Sequence, residues 1–158
     1  MKQKEIKIQI EVAQFDELSE SDRRLVELAR EATERSYAPY SHFRVGAAIQ
    51  LDNGEIVTGA NQENVAYPSG TCAERSACFY AHARYPEAKF ESIAIAARDT
   101  DGKFVTAPIA PCGACRQALL EYETLAGHGV RVMLCGGDEI YILPSVASLL
   151  PLAFTEFT

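Results

Sequence analysis

The chain is short of basic residues, carrying 15 Lys and Arg against 22 Asp and Glu among 158 residues for a formal net charge of −7. Binding to polyanions depends on neutralising phosphates with Lys and Arg, so duplex DNA and structured RNA are poor partners. No run is apolar and long enough to span a bilayer: the longest uncharged stretch, Ile140 to Phe154, is interrupted by Pro144 and Pro151. The opening MKQKEIKIQI has charges where a signal peptide needs its apolar core. Internal repeats and low-complexity tracts are absent. The five cysteines are odd in number, and inside a cell the default for cysteine is the reduced thiol, so clustering points to metal or catalysis ahead of disulfides. These absences predict a cytoplasmic chain, without membrane or nucleic-acid partners, that handles a small and roughly neutral molecule.

What is present predicts one compact domain over residues 1–158, with residues 1–18 as an N-terminal extension; 47% of the chain is hydrophobic and 23% charged. EIKIQIEV alternates Ile6, Ile8, Ile10 and Val12 with polar residues, the period of a half-buried strand at a sheet edge or subunit contact. Ser19 or Ser21 is placed to cap a helix whose stripe is Leu25, Leu28, Ala29 and Ala32 and which ends before Pro39. FRVGAAIQL and EIVTGANQ, joined through Asn53-Gly54, read as a β-hairpin. A helix over about 71–83, a strand at ESIAIAA, a helix over about 112–125, strands at VRVMLC and EIYIL and a short helix at PSVASLL complete an α/β layered domain with a mixed sheet.

Cys112 and Cys115, spaced i, i+3 in the first turn of a helix, direct both sulfurs the same way and can hold one ion. Cys72 opens the preceding helix and can supply a third ligand. Helix N-termini favour thiolate over thiol at these positions. Zinc suits three such soft ligands and leaves a fourth position open, the mark of a catalytic site. Taken alone, C-x-x-C also fits a redox dithiol or half of a structural zinc site. Cys78 lies nearly two turns beyond Cys72 on the wrong side, and Cys135, ending a strand, reads as a small buried hydrophobe. Glu74 stands two residues past Cys72, where it can work on water at the metal without being a ligand; a plain first-turn helix-dipole carboxylate is the other reading. C-x-E followed by P-C-x-x-C is, however, the zinc deaminase signature, with Cys in place of His at its first position.

The motifs SYAPYSHFRVGAA, GANQENVAYPSGTCAERSA and PCGACRQ, within a likeness running from about Leu25 to Phe154, are similar to those of the nucleoside cytidine deaminases, specifically the short, three-cysteine, homotetrameric type. The resemblance implies a three-layer α/β/α fold with a central mixed five-stranded sheet, to which the N-terminal segment can add an extra strand. It implies one zinc per chain on Cys72, Cys112 and Cys115, with Glu74 as the catalytic proton carrier. It assigns Asn61 and Glu63 to the ribose hydroxyls, Phe43 to the pyrimidine, and Ala73 to substrate contact. The Ala110 carbonyl would accept from the leaving amino group, and Tyr67 and Phe154 would help complete a neighbour's pocket. Arg75 would withdraw excess charge from the thiolates. The implied reaction is hydrolytic deamination of cytidine and deoxycytidine to uridine and deoxyuridine in pyrimidine salvage.

The chain departs from the shorter family members in its N-terminal extension and in a long loop from Arg98 to Ala110, while His42, His82 and His128 match no ligand position. Blasticidin-type deaminases are less similar, lacking both the CAER arginine and the N-x-E-N pattern. A polynucleotide-editing deaminase would need a basic groove, and a noncatalytic zinc module would dispense with Glu74.

Overall fold

The computed structural model describes residues 1–156. Strand β1 (Glu11–Ala13) precedes helix α1 (Glu20–Ala32), the hairpin β2 (Arg44–Leu51) and β3 (Ile56–Ala60), helix α2 (Ala73–Arg84), strand β4 (Phe90–Arg98), helix α3 (Gly113–Ala126), and strands β5 (Arg131–Cys135) and β6 (Ile140–Leu143). The sheet order is β1-β6-β5-β4-β2-β3. Only β4 and β5 pair in parallel, joined by the α3 crossover; the other neighbours are antiparallel. This is the expected mixed five-stranded sheet with a sixth, N-terminal strand at its edge.

Local chemistry accounts for the boundaries. Ser19 caps α1, its hydroxyl accepting from the Asp22 amide at 3.2 Å. Asp22, itself buried, ties the helix to β5 by a two-point pair with Arg131 at 2.7 and 2.9 Å. The hairpin turns at Gly54, whose φ of +88° suits a residue without Cβ. The α2 and α3 starts fall within two residues of the sequence expectation, as frayed helix ends allow.

Strand alternation divides the core between the two faces. On β4, Ile93 and Ile95 face α2 and α3, whereas Ala94 and Ala96 face α1. Those alanines make the α1 side shallow and let the helix lie close. Gly59 does the same for the other layer: a Cβ there would come within 2.5 Å of the Ala77 nitrogen and 2.7 Å of the Ala73 carbonyl. The first turn of α2 is thereby pressed against β3, which sets the depth of Cys72 and Glu74.

Two elements differ from expectation. The strand predicted over EIKIQIEV is hydrogen-bonded only at Glu11–Ala13, and Ile6, Ile8, Ile10 and Val12 are exposed. Antiparallel pairing sets Glu11 opposite Ile142, so two more steps toward the N-terminus would reach Leu143 and then Pro144, which has no N–H to donate. The predicted final helix is a single 3-10 turn over Val146–Leu149, capped by Ser145 and confined between Pro144 and Pro151.

Glu123 was invisible in the sequence as a structural group. It is buried near the end of α3, and its carboxylate accepts from the amides of Val130 (2.8 Å), Val146 (2.6 Å) and Ala147 (3.0 Å). Removing it strands the Val130 and Val146 amides, whose bonds to the carboxylate are buried. Glu123→Ala is therefore expected to cost about 3–5 kcal/mol, lowering the calorimetric midpoint by roughly 10 °C for a domain of this size. An unchanged midpoint would show that the three amides find other acceptors.

Candidate active site

Cys72 and Cys112 are the N-cap residues of α2 and α3, and neither side chain is spent on a cap hydrogen bond. The helices pack against each other, which brings their N-termini, with their partial positive charge, to one place. Cys115 lies one turn into α3 and is fully buried. The three Sγ atoms all lie within 4.8 Å of one another, with Cys72 and Cys112 3.9 Å apart. Four Zn–S bonds of about 2.3 Å at tetrahedral angles set sulfurs about 3.8 Å apart, so the donor set fits zinc. Among the described residues no fourth His, Cys, Asp or Glu joins this group.

The electrostatics favour a thiolate at Cys72. The Cys72 thiol is held down to about 5, first by the hydrogen bond from Cys115 and then by Arg75, against the opposing effect of burial. Cys115 is pushed up because its own S–H donates to the Cys72 sulfur, and because it is buried. Arg75 Nη2 lies 3.6 Å from the Cys72 sulfur, and its Nε is buried with no hydrogen-bond partner among the described residues. A guanidinium so aligned offsets the charge that accumulates on the sulfurs.

Glu74, in the first turn of α2, is only 4% exposed. Burial, reinforced by the negative charge of Cys72, raises its carboxyl above the ordinary carboxylate value. A carboxyl raised in this way is a stronger proton acceptor than a free carboxylate, which suits it to proton transfer.

The cluster opens into a cavity of about 640 Å³ lined by Phe43, Asn61, Glu63, Tyr67, Ala73, Glu74 and Ala110, together with Cys72, Cys112 and Arg75. The site residues named from the sequence thus converge, with one exception. Phe154, 60% exposed, lies outside the lining of its own chain's cavity, and its carbonyl accepts from Gln117 Nε2 at 2.9 Å.

Asn61 and Glu63 are more than free donors and acceptors. Asn61 Oδ1 accepts from Ser36 Oγ (2.6 Å) and the Val45 amide (2.8 Å), while its Nδ2 donates to the Phe43 carbonyl (2.9 Å). Glu63 accepts from the Tyr40 and Ser41 amides at 2.9 and 3.2 Å and from the Ser41 hydroxyl. The Ser41 hydroxyl, followed by those amides, lowers the Glu63 carboxyl below its usual range, with burial opposing. Both side chains therefore hang the segment between α1 and β2 over the cavity, and Tyr40 stands edge-on to Tyr67 with ring centroids 5.9 Å apart. Sequence reasoning gave Tyr40 and Ser41 no role. Nothing local marks them, because their partner is more than twenty residues away. Paired bonds between Gln62 and Thr71, both 2.9 Å, pinch the intervening loop and deliver Cys72 to the cavity.

The remaining cysteines, His82 and His128 lie elsewhere. Cys78 and Cys135 are buried in the two cores, where burial pushes each thiol up to about 12. His82 leans on Tyr122 and His128 meets Glu91 at 3.3 Å. The long loop folds back onto the sheet, with Phe104 bridged to Arg98 and beneath its guanidinium, and contributes Ile109 and Ala110 to the cavity wall.

Residues 19–126 match the family described as the cytidine and deoxycytidylate deaminase zinc-binding region. Cytidine deaminase of Halalkalibacterium halodurans is 42% identical over 134 residues, covering 83% of this chain and 92% of that protein. Cytidine deaminase of Sporosarcina psychrophila is 39% identical over 133 residues, covering 84% and 90%. The crystal structure of cytidine deaminase from Burkholderia pseudomallei superposes with a TM-score of 0.72 at 38% identity, covering 87% of this chain and all of that one. Three sulfurs at two helix N-termini, a buried glutamate beside them and this extent of likeness place the chain in the cytidine deaminase family.

Proposed function

We propose that the cavity binds cytidine and deoxycytidine and that the enzyme hydrolyses them to uridine and deoxyuridine with release of ammonia, the chemistry of pyrimidine salvage. The observation that carries this reading is Glu74 buried beside the three-sulfur cluster at a cavity of nucleoside size. Zinc, held by Cys72, Cys112 and Cys115, supplies Lewis acidity that lowers the pKa of water toward neutrality. Glu74 takes the proton of the attacking water as its oxygen adds to C4 of the pyrimidine, and delivers that proton to N3. It then carries the second proton from the new hydroxyl to the departing amino group, which leaves as ammonia. One carboxyl serves both transfers because it returns to its starting state after each. The Ala110 carbonyl orients the amino group and Phe43 packs on the ring. Asn61 and Glu63 take the ribose hydroxyls by exchanging part of their bonds to Ser41 and Val45. Arg75 remains on Cys72 and keeps the thiolate charge from opposing water activation.

The acidic chain, at −7 net charge, favours a free nucleoside over a polynucleotide. No helix among the described residues is long and apolar enough to cross a membrane, and we place the enzyme in the cytoplasm, working as one domain. The direct test is the ultraviolet absorbance change of purified protein with cytidine, deoxycytidine, blasticidin S and a single-stranded oligonucleotide. Turnover of the two nucleosides above the others is expected; faster turnover of the oligonucleotide would overturn the reading.

The outward position of Phe154 supports a homotetramer in which this side chain closes the pyrimidine pocket of a neighbouring subunit. Leu152, 88% exposed, adds to an apolar tail that a neighbour would cover. Truncation after Pro151 is expected to raise KM for cytidine by about tenfold through lost enclosure while leaving zinc content unchanged. Sedimentation of the intact protein is expected to show four 17.3 kDa chains per particle; a fully active monomer would contradict this arrangement.

A further inference from the structure

The N-terminal segment lies outside the family match, which begins at residue 19, and contributes no residue to the cavity. Its side chains nonetheless alternate strictly. Ile6, Ile8, Ile10 and Val12 are 51, 47, 46 and 58% exposed, so about half of each apolar side chain in one continuous stripe faces water. The parity is fixed by β1: Val12 stands opposite Tyr141 and Ala13 opposite Ile140. The stripe therefore continues the Tyr141 face of the sheet, while Lys7, Gln9 and Glu11 continue the α1 face on which Ala13 packs. β1 is the terminal strand and uses one edge for β6; among the described residues no strand pairs with its other edge. Toward the N-terminus the pairing with β6 runs out at Pro144, so an extended ladder needs a strand from elsewhere.

The geometry points to a second copy of this same segment as that strand, paired antiparallel across a two-fold axis at Gln9. Directly opposed residues of an antiparallel pair lie on the same face, so apolar must meet apolar and only registers of matching parity are allowed. With Gln9 opposite Gln9 of the second copy, Ile8 faces Ile10, Ile6 faces Val12, and Lys7 faces Glu11, each pair occurring twice by symmetry. Moving the axis to Ile8 sets Glu5 against Glu11, a like-charge pair. Moving it to Ile10 sets Lys7 against Ala13 and leaves the lysine without an anion. Charge complementarity thus selects the Gln9 register among the three. Within its own chain Lys7 meets Glu5 only at 4.0 Å, with both side chains exposed, so it is available for the cross-strand pair. The two copies would share one sheet through their β1 edges, an addition independent of the catalytic reading.

The test places a thiol on the proposed axis and reverses the charges that select the register. Gln9→Cys in the full-length zinc-loaded protein, oxidised with copper–phenanthroline, is expected to give a covalent dimer through residue 9 on a non-reducing denaturing gel, verified by peptide mass. Glu5→Cys, opposite Ala13 in this register, is expected to cross-link at least about fivefold more slowly. Adding Lys7→Glu to Gln9→Cys creates two like-charge pairs and is expected to reduce cross-linking about fivefold, and adding Glu11→Lys as well is expected to restore it to within about twofold. Cytidine turnover should stay constant throughout. The proposal is overturned if Gln9→Cys remains monomeric, if Glu5→Cys cross-links equally fast, or if the charge reversals have no effect or fail to compensate.

Discussion

Glu74→Gln is expected to lower kcat for cytidine by about 10⁴-fold while leaving zinc content and the thermal midpoint close to those of the parent. Glutamine has the same shape, so the packing around a residue only 4% exposed is preserved. The amide cannot accept the proton of the attacking water, and it cannot then supply one to N3 or to the departing amino group. Both transfers fail together, which places the loss at the upper end of what a single acid–base group contributes. Because the burial that raises the Glu74 carboxyl acts against its charge, replacing it with a neutral amide should, if anything, steady the fold. Steady-state kinetics with metal analysis on the same preparation separates the two properties. Turnover within tenfold of the parent would remove Glu74 from the proton path.

Cys112→Ala and Cys115→Ala are each expected to abolish stoichiometric zinc and, with it, activity to below about 10⁻³ of the parent. Two remaining thiolates hold the ion far less tightly than three, and alanine supplies neither charge nor a lone pair. The two variants should differ in the apoprotein. Cys115 is fully buried whereas Cys112 is exposed, so Cys115→Ala leaves a small void beneath α3 and should cost about 1 kcal/mol more than Cys112→Ala. Zinc at about one ion per chain in the parent and near none in either variant is the expected result; full zinc occupancy in both would contradict the ligand set.

The difference between these two cysteines marks the reach of sequence reasoning. Their common direction was legible, because i, i+3 spacing in one helical turn is a local property. Which of them is sheltered was not, since that depends on how α3 settles against its neighbours. The same division applies to α1, whose Ser19 cap and apolar stripe act within a few residues, and to the hairpin, whose Asn-Gly turn sets its own register. The short helix expected over PSVASLL narrows to the 3-10 turn at Val146–Leu149, because its apolar run carries helical character while the prolines on either side leave room for only one turn.

From its sequence alone this protein had its chemistry determined: three thiols and a carboxylate of the right kinds, two of the thiols a single helical turn apart and the carboxylate two residues from the third, in an acidic chain with mixed α/β patterning. Periodicity, capping and motif spacing are enforced over a few residues, so they survive translation into words without coordinates. Tertiary structure decided how distant pieces meet. The packing of α2 on α3 brings Cys72 to Cys112 across forty positions, Asn61 and Glu63 suspend the segment carrying Tyr40 and Ser41, and Glu123 gathers three amides from beyond its own helix. It also left the isoleucines that precede β1 facing water, although their alternation is that of a half-buried strand. Alternation states which side chains share a face; only the order and length of neighbouring strands determine whether anything covers it.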